Sequence, residues 1–326
     1  MLSRVADSIY WMARYIERAE NVARFVNVNL QLALDLPLGL EEQWKPLVAI
    51  TGDYPDFMKR YDQPTKENVI QFLAFDPENP NSILSCLRGA RENARSIREV
   101  ISSDMWTEIN QFYLNLEAAS PARALASPHE FFTEIKRSSH LIEGVTNATM
   151  AHSEAWHFYV IGRALERADK TTRILDVKYF ILLPSASDVG MAIDDLHWSA
   201  VLRSASGFEM YRQMHGRLVP DKITEFLILD REFPRSVNYC AMRAEESLHA
   251  VTGTPMGTFQ NGAERRLGQL VSELAYTDIG EVVAHGLHEF LDSLQVKLND
   301  VGDEVFDTFF ATRTYSQSGL TPWFQR

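Results

Sequence analysis

The sequence predicts an all-α protein, a helical bundle built from two tandem, pseudo-two-fold-related halves that share one core. Three observations predict it. Apolar residues recur at spacings of three and four over residues 81–102, 127–175 and 278–310, and no run shows sustained two-residue alternation between turn signals. A charged segment occurs twice: Arg14-Tyr-Ile-Glu17-Arg18-Ala19-Glu20-Asn-Val-Ala-Arg24 returns 149 positions later as Arg163-Ala-Leu-Glu166-Arg167-Ala168-Asp169-Lys-Thr-Thr-Arg173. Every charged position is matched in sign except Asn21, which becomes Lys170. Further landmarks are duplicated at offsets that grow along the chain to 154 and then 159, as small loop insertions would produce. A period near 150 residues is too long for a solenoid, so the pattern reads as two related halves, about 1–150 and 151–326, of a single domain spanning 1–326.

Each element follows from local pattern. At about 100° per residue the polar positions of Arg14–Arg24 fall within roughly 160° of circumference, with Tyr15, Ala19, Val22 and Val26 opposite, so each charged copy is one amphipathic helix. Trp44 then meets Trp198, and Val69-Ile-Gln-Phe72-Leu73-Ala-Phe-Asp76 meets Ile223-Thr-Glu-Phe226-Leu227-Ile-Leu-Asp230. The next helix of each half starts after a proline and a small polar residue, at Asn81-Ser82 and Arg235-Ser236, and carries Cys86, Ala90 and Glu92 against Cys240, Ala244 and Glu246. His129-Glu130-Phe131 faces His288-Glu289-Phe290 in the last helices. Residues 312–326 lack periodicity and are expected to form an irregular tail with Tyr315, Trp323 and Phe324.

Composition fits a well-packed chain: 326 residues, 45% hydrophobic and 11% aromatic, supply a sizeable core. A net charge of −12, with no dense basic stretch, argues against a nucleic-acid partner. The start of the chain enters the first charged helix at once, and no segment reaches the ~18 uninterrupted apolar residues of a membrane span. The expectation is a cytoplasmic protein with no membrane partner. The two cysteines, at equivalent positions in apolar helical patterns, read as core residues.

Two clusters are candidate binding sites. Arg14, Glu17, Arg18, Glu20 and Arg24 share one helix face, as do Arg163, Glu166, Arg167, Asp169 and Arg173. Solvated faces drift freely, so their recurrence points to a restricted environment. Three readings stand open: a buried ionic network joining the halves, a site where guanidinium groups bind or process an anionic ligand, and an exposed partner surface. The second cluster is Arg88, Arg91, Glu92 and Arg95, extended by Arg98 into a cationic stripe. Its counterpart positions hold Met242, Glu245, His249 and Thr252 in place of the arginines, so any anion site is expected to be asymmetric and to lie toward the first half.

Other chemistries find little footing. Glu154-x-x-His157 and Glu246-x-x-His249 have the spacing of di-iron carboxylate bundles, but the counterpart of Glu246, Glu92, is followed three residues on by Arg95. His285-x-x-His288 reads as partly buried core histidines. The sequence therefore predicts no metal and no cofactor. There is no P-loop, no Gly-x-Ser-x-Gly elbow and no paired CxxC, so no catalytic residue is assigned.

The Arg-x-x-Glu-Arg-Ala-acid motif, the segment Leu87-Arg88-Gly-Ala-Arg91-Glu92-Asn93-Ala94-Arg95, the segment Phe233-Pro234-Arg235-Ser236-Val237 and the all-helical length together resemble the bacterial alpha-E family. That resemblance implies association with a circularly permuted ATP-grasp protein and a transglutaminase-like protease, hence with a system that forms or modifies peptide or amide bonds. The function it implies is a helical accessory component that positions a substrate, with an anionic peptide or amino acid as ligand. The alternative is an enzyme using the Arg/Glu clusters for acid–base chemistry on a peptide intermediate, and less favoured still is a dimetal carboxylate bundle.

Overall fold

The structure, a computed structural model, describes residues 1–35, 43–180 and 191–311. Among these residues every regular element is helical. The chain begins with α1 (Ser3–Asp35), followed by α2 (Lys45–Thr51), α3 (Tyr54–Met58) and α4 (Lys66–Ile70), which runs into a π-helical turn at Gln71–Phe75. Then come α5 (Ile83–Ser96), α6 (Ser103–Glu117), α7 (Pro121–Ala126) and α8 (Pro128–Thr149). The order continues through α9 (Glu154–Phe180), α10 (Ala192–Ser204), α11 (Phe208–His215), α12 (Pro220–Leu229), α13 (Val237–Thr252), α14 (Gly262–Ala275), α15 (Ile279–His285) and α16 (Leu287–Val305), which ends in a second π-helical turn at Phe306–Phe310. The expected tail at 312–326 lies outside the described residues.

The two long helices α1 and α9 form the centre. Met1 meets Glu154, Tyr10 meets Gly162 and Arg18 meets Glu166, so the pair runs parallel. Their closest approach is at Gly162, where a Cβ would stand 2.4 Å from the Tyr10 carbonyl oxygen, so no other residue lets the helices come so near. Around them the packing is reciprocal: α5 and α8 cover α1, α13 and α16 cover α9, α2 crosses to α9 and α10 crosses to α1. One contiguous apolar core, from Val5 on α1 to Phe310, runs through the described chain.

Helix starts obey the expected chemistry. Ser82 and Ser236 cap α5 and α13 by accepting from the amides of Ser85 and Tyr239 at 3.1 and 3.0 Å, and Asp76 and Asp230 close the preceding turns on the amides of Glu78 and Glu232. Three apolar stretches break where periodicity alone gives no warning. Residues 127–175 divide at Met150, which turns extended, and 278–310 divide at Gly286, with φ +123°. Helix α5 stops at Ser96, yet Ile97 and Ile101 stay buried in the turn that follows. Periodicity marks burial, and burial outlasts the helix. No helix among the described residues is long and apolar enough to cross a membrane.

Candidate functional site

The parallel contact of α1 and α9 brings the two Glu-Arg pairs face to face and crosses them. Glu166 on α9 accepts from Arg18 Nε and Nη2 at 2.7 and 3.0 Å, while Glu17 on α1 accepts from Arg167 Nε and Nη2 at 2.9 and 2.8 Å. Each guanidinium thus forks onto the carboxylate of the other helix, the two-point geometry that arginine offers and lysine does not. Glu166 is wholly buried and Glu17 is 4% exposed.

Further donors reach each carboxylate directly. Glu166 also receives Arg14 Nε at 2.9 Å and faces Lys170 Nζ at 3.5 Å, and Arg18 donates onward to Asn81 Oδ1 at 2.7 Å. Glu17 also receives Arg235 Nη1 at 3.1 Å and Asn21 Nδ2 at 3.0 Å, and Arg235 Nη2 reaches Glu20 at 3.0 Å. Asp169 holds Lys170 and Arg173, each at 2.9 Å. Glu20 pairs with Arg24, whose guanidinium touches the Ser206 hydroxyl, and Arg163 pairs with Glu143 of α8. Ser206 sits at φ 53° and Gly52, 154 positions earlier, at φ 82°, and the guanidinium of Arg173 lies beside Gly52 as that of Arg24 lies beside Ser206.

Electrostatics fix the protonation states. Burial alone would raise the Glu17 carboxyl, but Arg167 and Arg235 outweigh it and hold it below the ordinary carboxylate value. Burial opposes ionisation of Glu166 in the same way, and Arg18, Lys170 and Arg14 together hold it well below that value. Both are ionised, doubly engaged acceptors with no proton to give. Burial, reinforced by Arg235, pushes the Arg24 guanidinium well below its usual range, and burial with Arg24 lowers His140, 3.5 Å from Glu20. Cys86 and Cys240 are buried free thiols, each pushed up to about 12 by burial, so neither supplies a thiolate nucleophile at neutral pH.

Of the sequence-derived candidates, the structure gathers Arg14, Glu17, Arg18, Glu20, Arg24, Arg163, Glu166, Arg167, Asp169 and Arg173 along the α1/α9 seam. The other four do not join them. Arg88 and Arg95 are exposed on α5, and Glu92 bridges Arg91 and Arg95. Arg91 donates to Asn110 at 2.7 Å and lies over the Tyr113 ring, and Arg98 lies over Trp106, so the stripe packs outward against α6. Sequence reasoning missed Arg235, Glu143, Lys170 and Asn81 as members of the network. Arg235 and Asn81 occupy matched positions, as do Lys170 and Asn21, and both cations fall in the second copy. Only the crossing of the helices sets one cation beside each carboxylate, Arg235 with Asn21 at Glu17 and Lys170 with Asn81 at the Glu166 fork.

The Glu-x-x-His pairs build no metal centre. Glu154 binds the Met1 amino group, Glu246 pairs with Arg243, and His249 Nδ1 contacts the Thr254 carbonyl. Among the described residues a different trio, Asp176, His288 and Asp292, places ligand atoms within 4.8 Å of one another, with His288 Nδ1 2.6 Å from Asp176. Its donor set is compatible with a divalent cation. It joins α9 to α16 across 112 positions, too far for a spacing rule to find. Beside the seam lies a cavity of about 440 Å³, lined by Tyr10, Trp11, Arg14, Asn299, Gly302, Asp303, Phe306 and Phe310.

Residues 1–310 match a family described as a predicted alpha-helical domain with a conserved ER motif, Alpha-E. The chain belongs to the Alpha-E family. Glu17-Arg18 and Glu166-Arg167 are the Glu-Arg pairs that cross at the centre of this Alpha-E domain. Curated relatives include uncharacterized proteins of Mycobacterium bovis and of two strains of Mycobacterium tuberculosis, each 23% identical over 342 residues. These alignments cover 98% of this chain and 38% of each relative, so the chain spans under two fifths of their length. No solved structure gives a significant match.

Proposed function

We propose that this Alpha-E domain is a helical accessory scaffold that docks to a circularly permuted ATP-grasp protein and positions a peptide or amino-acid substrate for amide-bond formation or modification. A transglutaminase-like protease is the second partner in this reading. The observation that carries it is the closure of the Glu-Arg seam: its carboxylates are ionised, forked by arginines and buried, which suits a brace and leaves them poorly placed as general acids or bases. The length of the relatives adds support, since there the domain resides in a chain more than twice its size.

The scaffold itself we read as a duplication. Eight helices of one half correspond in order to eight of the other, α1 with α9 through α8 with α16. Reciprocal packing, crossed Glu-Arg forks, the Gly52 and Ser206 turns and the buried thiols beside the Pro80 and Pro234 carbonyls support a pseudo-two-fold relation between them.

The test is co-expression with the ATP-grasp partner. Co-purification and a ligase activity that rises when this chain is added are expected. A partner that neither binds the chain nor changes rate in its presence rules the accessory reading out.

A further inference from the structure

The two halves differ beside the seam in one carboxylate. On one side of the seam Arg163 of α9 is paired with Glu143 of α8, from the other half. At the offset that aligns His129 with His288, the buried positions Phe132, Ile135, Ile142 and Thr146 of α8 fall on Leu291, Leu294, Val301 and Val305 of α16, all buried. That register places Glu143 on Gly302. Arg14, the counterpart of Arg163, therefore faces a glycine: a Cβ on Gly302 would lie 3.7 Å from Arg14 Nη1 and from the Tyr10 hydroxyl, in ordinary contact and without a clash.

What replaces the missing side chain is space. The cavity of about 440 Å³ opens at this point, and Arg14 forms part of its wall with its side chain 17% exposed. Arg14 keeps its Nε on Glu166, donates Nη1 to Tyr10 at 3.1 Å and lies 4.8 Å over the Trp11 ring. Phe306 and Phe310 close the cavity from the π-helical turn that ends α16, a distortion that recurs at functional sites. The only carboxylate in the lining, Asp303, is exposed and enters no ion pair among the described residues. On this side of the seam Glu166 and Asp169, two carboxylates, meet four cations, Arg14, Arg18, Lys170 and Arg173.

We infer that this cavity binds a carboxylate ligand with an apolar or aromatic body, its carboxylate taking at Arg14 the place that Glu143 fills at Arg163. The guanidinium and the Tyr10 hydroxyl supply donors, and Trp11, Phe306 and Phe310 supply the apolar wall. A carboxylic acid or the carboxyl end of a peptide has this chemistry. The inference rests on the duplication proposed above and deepens the substrate-positioning role by naming a site and a ligand class.

The experiment is calorimetric or NMR titration of the full chain with 3-phenylpropionate and with its neutral isostere 3-phenylpropionamide. The acid is expected to saturate with a Kd on the order of 1 mM, as befits a small fragment, and the amide to bind at least about tenfold more weakly. Gly302→Glu, which installs the carboxylate of the other half, is expected to stay folded and to lose the acid by at least about tenfold. Arg14→Gln should lose it as well. Failure of the acid to saturate by about 10 mM, equal binding of the amide, or unchanged binding in Gly302→Glu overturns the inference. No arm requires the ATP-grasp partner, so a chain that co-purifies with that partner but ignores the acid separates the failure of this site from that of the accessory role.

Discussion

Glu166→Gln is the sharpest probe of the seam, because it removes one negative charge while preserving shape. In the native protein Glu166 is wholly buried and faces Arg18 at 2.7 Å, Arg14 at 2.9 Å and Lys170 at 3.5 Å. Glutamine leaves three cations converging on a neutral group, beside an Asp169 that already holds Lys170 and Arg173. Breaking a buried ion pair by removing one partner costs about 3–5 kcal/mol, a large share of the roughly 5–15 kcal/mol by which domains are stable. At about 2–4 °C per kcal/mol for a large domain, the melting temperature should fall by about 6–20 °C. Glu92→Gln is the control: its carboxylate is 43% exposed, and its loss should cost under about 1 kcal/mol. Adding Lys170→Gln to Glu166→Gln removes one surplus cation and should recover part of the loss, a coupling of about 1 kcal/mol or more in a double-mutant cycle. Thermal and denaturant unfolding read the parent, the three single variants and the double variant. If Glu166→Gln lies within about 1 kcal/mol of the parent, or Lys170→Gln simply adds its own penalty, the seam is not a buried charge network and the reasoning fails.

The same geometry fixes further outcomes. Glu17 and Glu166 are held below the ordinary carboxylate value, so the stability they confer is present above an unfolded-state pKa of about 4.3 and is lost as pH falls through their lower folded values; melting followed from pH 7 downward should steepen below about pH 4.3, and the Glu17→Gln/Glu166→Gln double variant should flatten that limb. Gly162→Ala forces a Cβ against the Tyr10 carbonyl at 2.4 Å and should cost about 1–3 kcal/mol, whereas Gly144→Ala on α8, with nothing within 4 Å, should gain up to about 1 kcal/mol in denaturant melts. Neither buried thiol should react with a thiol reagent in the native protein, and both should react after unfolding; rapid native labelling contradicts the core assignment. Arg235→Asn should destabilise the Glu17 side of the seam, and Asn21→Lys should restore part of it by supplying a cation from the position Lys170 occupies on the other side, read as a rise in melting temperature over the single variant.

The helical class and the Glu-Arg pairs were legible because each is written locally. Period and charge on α1 and α9 suffice to place Glu17, Arg18, Glu166 and Arg167 on faces that must meet something. What they meet was not legible from either helix. Arg235 enters from the loop before α13 and Glu143 from α8, and loops carry no period. The stripe of Arg88, Arg91 and Arg95 shows the converse error in the making: its spacing is as regular as that of the seam, yet it lies on the outer side of α5, with Arg88 and Arg95 exposed and Arg91 packed against α6. Regular spacing identifies a face without saying whether the face is inside. Duplication was the better discriminator, since the seam charges recur and the stripe does not.

The exchange between Asn21 with Arg235 and Lys170 with Asn81 bears on why the seam recurs at all. Two buried carboxylates in contact with neighbouring acids need a minimum number of cations, because an uncompensated charge in a low-dielectric interior costs several kcal/mol. The position that supplies the extra cation is free to differ, provided one does. On the Glu17 side it comes from the loop before α13, and on the Glu166 side from the helix itself. Such an exchange preserves charge while changing residue identity, which a solvated face has no reason to do and a buried electrostatic balance requires. The same logic gives the Arg14 cavity its weight. At Arg163 the balance is closed by Glu143, and at Arg14 the corresponding carboxylate is absent and replaced by a walled opening. In a seam that otherwise compensates each change, a ligand carboxylate is the compensation this vacancy lacks.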